Sequence, residues 1–126
     1  MSEMTLETFK NLPRKDFESF KKLKEYDRKN AFLYLDDKSF EAFKLVSEYD
    51  RQEVFEFLSH KDIEAFKLLS EYKRIEVFEL LPHKDIEAFK LLNGNGRECC
   101  YYLLDYKDFE AFKLLPEGYL KEELFT

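Results

Sequence analysis

Four arginines stand 23 residues apart, Arg28, Arg51, Arg74 and Arg97, and a regular row of guanidiniums can do two kinds of chemistry. Each planar fork can pair with two anionic oxygens at once, so the row could grip a phosphate chain or an acidic peptide. It could also neutralise carboxylates of its own fold, because Glu25, Glu48 and Glu71 sit three residues before the first three arginines. His60 and His83 are related by the same spacing. A zinc ion needs four ligands about 2.0–2.3 Å away, which equivalent places in successive segments do not bring together, so no metal is expected and a helix-terminal role is the simpler reading. Cys99 and Cys100 are adjacent. They lack the Cys-x-x-Cys spacing and a histidine to activate a thiolate, so Cys100 reads as core and Cys99 as a partly exposed thiol. Asn93-Gly94-Asn95-Gly96 is no phosphate loop, since the Gly-x-x-x-x-Gly-Lys pattern is missing, and it reads as a reshaped, mobile turn. No Ser/His/Asp or Cys/His set is present, and the carboxylates alternate with Lys and Arg as on a solvated face. The expectation is a protein that is not an enzyme and holds no cofactor.

The spacing of the arginines belongs to a larger pattern. From Lys15 the chain repeats a 23-residue motif in five copies, spanning 15–37, 38–60, 61–83, 84–106 and 107–126. The third copy is KDIEAFKLLSEYKRIEVFELLPH, and its first nine residues recur unchanged at the start of the fourth. Residues 1–14 form a half-copy, because Leu6 to Arg14 aligns with Ile75 to His83. A fixed period in this range marks a stacked array in which each copy covers its neighbour's apolar face. The domain expectation is one repeat domain over residues 1–126, capped by residues 1–14.

Within a copy, positions 3, 5, 6, 8, 9 and 12 are apolar (Ile63, Ala65, Phe66, Leu68, Leu69 and Tyr72 in the third). At 100° per residue they wrap more than half of a helix, so this first helix must be covered on several sides. The spacing predicts Phe20, Phe43, Phe66, Phe89 and Phe112 as a core spine. A second helix follows, with positions 17, 18, 20 and 21 facing inward. Asp16, Asp62, Asp85 and Asp108 can cap first helices, while Asp27 and the Asp50-Arg51-Gln52-Glu53 box can cap second helices; Pro13 and Pro82 can close them. The count is eleven helices of roughly 8–10 residues, too short to be stable without packing.

Two short helices per copy, repeated five times, resemble the α-solenoid class of leucine-rich-variant and HEAT-like repeats. The resemblance is at class level, since neither the tetratricopeptide nor the ankyrin signature is present. It implies an all-α fold, an α-solenoid of five two-helix repeats plus the half-repeat, and a non-enzymatic scaffold that offers a repeat surface to a protein or peptide. The surface should lie where copies differ. Positions 3–9 scarcely vary, whereas positions 15, 16 and 19 change from copy to copy and carry Leu33, Ile75, Cys99 and Tyr102. Exposed apolar groups with a polar rim mark interaction surfaces. The arginine ladder is an additional candidate contact row, and the alternative function is a modular nucleic-acid binder that uses it. Charge speaks against nucleic acid: the net charge is −6 and no copy is net basic. The truncated end Glu123-Leu124-Phe125-Thr126 could support self-association. No apolar run nears the roughly 18 residues of a membrane span, and Met1 to Leu6 lacks a signal peptide's basic and apolar regions. The expected location is therefore cytoplasmic, which is compatible with delivery into another cell by a non-cleaved route.

Overall fold

The computed structural model describes residues 3–104 and 109–116. Among these residues it is all-helical, with ten α-helices and no strand. Chain packing divides it into two compact units, Met1–Lys61 and Asp62–Thr126, and the division falls at the start of the third copy. The N-terminal unit holds α1 (Leu6–Lys10), α2 (Phe17–Lys21), α3 (Glu25–Phe32), α4 (Phe40–Lys44) and α5 (Arg51–Phe55). The C-terminal unit holds α6 (Ile63–Phe66), α7 (Glu71–Val77), α8 (Ile86–Phe89), α9 (Gly94–Cys100) and α10 (Phe109–Lys113). The expected eleventh helix, the final segment to Thr126 and the Asp108 cap lie outside the described residues.

Inside each unit, helices two apart in the chain pack side by side. In the first, α1 lies on α3, α3 on α5 and α2 on α4; in the second, α6 lies on α8, α8 on α10 and α7 on α9. First helices neighbour first helices, and second helices neighbour second helices. Position 6 is the centre of each copy. Phe20, Phe43, Phe66 and Phe89 are fully buried, whereas Phe112 is only half-buried. Each of the four meets the aromatic ring at position 18 of its own copy edge to face: Phe20 with Phe32, Phe43 with Phe55, Phe66 with Phe78, and Phe89 with Tyr101, at centroid distances of 6.1–6.4 Å. That geometry suits the ring quadrupole, and it lets very short helices fill a core with few residues. Ala42, Ala65 and Ala88 at position 5, replaced by the half-buried Ser19 in the first copy, and Leu or Val at position 9 are buried with the rings.

The first helices are capped as the sequence predicts. Asp16, Asp62 and Asp85 accept the amides of Ser19, Ala65 and Ala88 at 2.9–3.2 Å, and Ser39 does the same for Ala42. The amide bond pulls the Asp16 carboxyl below the usual range. That contribution to stability is present above the ordinary carboxylate pKa and is lost as pH falls through the lowered value. The second helices α3, α7 and α9 start earlier than predicted, whereas α5 starts at Arg51, directly after the predicted Asp50. α3 begins at Glu25, so Asp27 lies inside its first turn rather than capping it. Asp50 stands before α5 in a helical conformation and accepts a bond from the Ser47 hydroxyl at 2.9 Å instead of from an amide.

The first helices are also shorter than predicted, four or five residues each. They end at position 6 or 7 because the next amides bond three residues back, as Leu45 to Ala42 and Val46 to Phe43. The chain then turns at once into the second helix. α7 and α9 tighten at their ends into 3-10 turns, Phe78–Leu80 and Tyr101–Leu103. The backbone extends at Leu81 and Leu104, which point inward, while Leu80 and Leu103 of position 20 remain exposed.

The Asn93-Gly96 segment is not a mobile turn. It is the first turn of α9, with Asn93 as the cap accepting the Gly96 amide at 2.7 Å. Gly96 is buried, and a Cβ there would stand 2.8 Å from Ile75 Cγ1 and 3.2 Å from Leu92 Cβ. Gly94 is exposed, with Pro116 at an ordinary 3.5 Å. Gly96→Ala should therefore lower stability by about 1–2 kcal/mol, the clash outweighing the helix propensity gained. Gly94→Ala should raise it by about 0.5–1 kcal/mol. Urea titration of the two variants checks the opposite signs.

Candidate functional site

The arginine ladder is built into the backbone. A short helix leaves its last carbonyls without partners, and position 14 supplies them. In the N-terminal unit Arg28 donates through Nη2 to the Lys21 carbonyl of its own copy, at 3.2 Å, and through Nη1 to the Leu45 carbonyl of the next, at 3.1 Å. In the C-terminal unit Arg74 reaches Lys67 at 2.8 Å and Leu91 at 2.9 Å. Arg97 there reaches Lys90 at 2.9 Å and Leu114 at 3.1 Å. Arg51 follows the pattern with the Lys44 carbonyl at 3.0 Å, and its Nε donates to Val46 at 3.1 Å. Arg51 and Arg74 also lie 5.9 Å over the Phe43 and Phe66 rings. The glutamate pairing expected for the row gives way to carbonyl capping. Around Arg51, burial presses the pKa down, while Glu48 and Glu25 act to hold it up. These guanidiniums join helix ends through main-chain oxygen.

A second cation column does similar work. At position 1, Lys15, Lys38, Lys61 and Lys84 donate to the carbonyls of Leu12, Leu35, Leu58 and Leu81 at 2.9–3.1 Å. The Glu and Lys of positions 4 and 7 pair with each other along the first helices, as in Glu41 with Lys44 at 3.1 Å and Glu64 with Lys67 at 3.3 Å. Both partners are largely exposed, so these pairs contribute little.

The remaining candidates divide. Leu33 is 45% and Tyr102 56% exposed, and Cys99 is exposed. Ile75 is half-buried, because its side chain covers Gly96. Cys100 is buried with its Sγ 4.0 Å from the Ile75 carbonyl, and burial pushes its thiol up to about 11, with Cys99 and Glu79 adding smaller repulsions. Iodoacetamide at mildly alkaline pH should therefore alkylate Cys99 and leave Cys100 unmodified until the protein is denatured, a result that peptide mass spectrometry reads directly. His60 and His83 are exposed. Among the described residues no group of three His, Cys, Asp or Glu is placed to hold a metal ion, and no helix is long and apolar enough to cross a membrane.

Two columns escape the sequence reading. Tyr34 and Phe57, at position 20, are exposed beside Leu33 on the outer face of α3 and α5. Tyr26, Tyr49 and Tyr72, read from the sequence as core, are 71%, 83% and 80% exposed. The first helix stops by position 7, so position 12 falls in or just before the second helix and points outward. A groove of about 290 Å³ runs between α3 and α5, lined by Lys29, Asn30, Leu33, Glu53, Val54, Glu56 and Phe57. Lys29 bridges it to Glu53 at 3.2 Å and lies 4.0 Å from Asp50. The groove has an apolar floor and an acidic rim. Comparison with protein-family models, with curated proteins and with solved structures finds no match to this chain.

Proposed function

We propose that the protein is a non-enzymatic interaction scaffold, a single α-solenoid in which the outer face of the second helices receives a protein or peptide partner. The 23-residue register runs unbroken through the boundary between the two compact units, which supports the solenoid reading. The observation that carries the function is the groove between α3 and α5. Leu33 and Phe57 are large apolar groups left partly in water at its edge, where a folding role would have buried them. Tyr102 and Leu103 present the same character at the end of α9. A nucleic-acid reading would depend on the arginine ladder, whose guanidiniums each donate to main-chain carbonyls, so that reading gains no support.

The test is quantitative capture with the wild-type chain and with a Leu33→Gln/Phe57→Gln/Tyr102→Gln variant, after circular dichroism has shown that both are folded. The variant should lose the captured partner, whereas a control changing Glu64 and Lys67 on the first-helix strip should keep it. Equal capture by all three proteins, together with concentration-independent light scattering, would remove this face from consideration.

A further inference from the structure

The groove between α3 and α5 has a size and a charge that together describe an occupant. Its volume of about 290 Å³ falls below the range of roughly 300–1,000 Å³ that encloses a drug-sized ligand. A single large side chain of a protein partner, the usual anchor of an interface, suits it better. Val54 is buried beneath the groove, and Leu33 and Phe57 stand partly in water along it. The anchor it fits is therefore apolar.

The charges around it differ in standing. Lys29 reaches across to Glu53 at 3.2 Å and lies 4.0 Å from Asp50, so these three offset one another. Glu56 is left over. It is exposed at the C-cap of α5, and its carboxylate has no hydrogen bond or ion pair among the described residues. The last turn of α5 holds no basic residue. A carboxylate beside the carbonyl end of a helix meets like charge, and a cation placed there relieves both. Asn30, on the α3 side of the groove, is also exposed, and its carboxamide has no partner among the described residues. That group can accept an N–H and donate to a C=O at once. A helix satisfies its main-chain groups internally, whereas an extended segment still presents them.

We propose that the groove takes an extended segment of a partner protein, with an apolar residue seated between Leu33 and Phe57 and a lysine or arginine two residues away on Glu56. Asn30 holds the main chain between the two. The proposal rests on the outer face being a docking face and adds the chemistry of what docks there. The spacing follows from strand geometry: residues i and i+2 share one face about 6.6 Å apart, and Phe57 and Glu56 are neighbours in the chain.

The experiment is an NMR titration of the isotope-labelled full chain with short Gly/Ser-framed peptides, read at the amides of Leu33, Glu56 and Phe57. A Leu-Ser-Arg peptide should shift them in a saturable way. Leu-Ser-Glu should bind less tightly, and Ser-Ser-Arg should not bind detectably. Glu56→Gln should weaken the Leu-Ser-Arg peptide about two- to fivefold, the range of one exposed ion pair. Glu56→Lys should reverse the preference in favour of Leu-Ser-Glu, a result that a merely structural role of this side chain would not produce. Because Glu56 is exposed, the spectra of both variants should otherwise match the wild type. No saturable shift with Leu-Ser-Arg, equal or tighter binding of Leu-Ser-Glu by the wild type, shifts centred outside α3 and α5, or an unchanged preference in Glu56→Lys would each overturn the proposal. If the Leu33→Gln/Phe57→Gln/Tyr102→Gln variant still loses its captured partner in that event, the docking face stands and only the chemistry of its ligand falls.

Discussion

Phe66→Ala should cost about 3–5 kcal/mol, the largest loss expected of any single truncation in this chain. The ring is fully buried and meets Phe78 edge to face at 6.1 Å, with the Arg74 guanidinium over it. Truncation would leave a cavity lined by parts that very short helices cannot re-pack. α6 has only four residues and draws almost nothing from helix propensity. Phe112→Ala, at a half-buried position of the same column, should cost clearly less. Urea titrations of the two variants measure the difference, and equal losses would contradict the view that position 6 holds each copy together through enclosure.

The second large effect should come from Arg74→Ala, which removes the donors to the Lys67 and Leu91 carbonyls. A hydrogen bond from a charged group contributes about 1.5–3 kcal/mol, and the more exposed bond, to Lys67, falls at or below the low end, so about 2–4 kcal/mol is expected in all. Arg74→Lys should recover less than half, because one ammonium cannot span two carbonyls held apart by a fork. The acceptors are neutral, so the loss should be nearly the same at low and high salt. Strong salt dependence in denaturation would point instead to a carboxylate as the partner of Arg74.

These two residues show what the letters carried and what they could not. Phe66 is legible because burial follows periodicity, and Asp16, Asp62 and Asp85 are legible because an N-cap has a side-chain signature. The acceptor of Arg74 is a backbone oxygen, which has no letter, so glutamates at the right spacing were the natural but mistaken partners. The outward tyrosines were misplaced for a related reason. Apolar periodicity alone ran the first helix through position 12, although Ser70 and Asn93 at position 10 are residues of the N-cap type and do mark the true start of α7 and α9. Leu33, Cys99 and Tyr102 could be found as surface groups by comparing copies. Ile75 could not, because its cover is a missing Cβ at Gly96, in the following copy.

The bonds of Arg28 to Leu45, Arg74 to Leu91 and Arg97 to Leu114, like those of Lys38 to Leu35 and Lys84 to Leu81, join one copy to the next through main-chain oxygen. A main-chain acceptor is present whatever side chain it carries. A newly duplicated segment would therefore meet its neighbour with the joint already complete, needing no compensating substitution on the other side. Copy number can then change by whole steps of one motif while positions 15, 16 and 19 vary from copy to copy. In such a lineage, length and the chemistry of the outer face can be inherited separately.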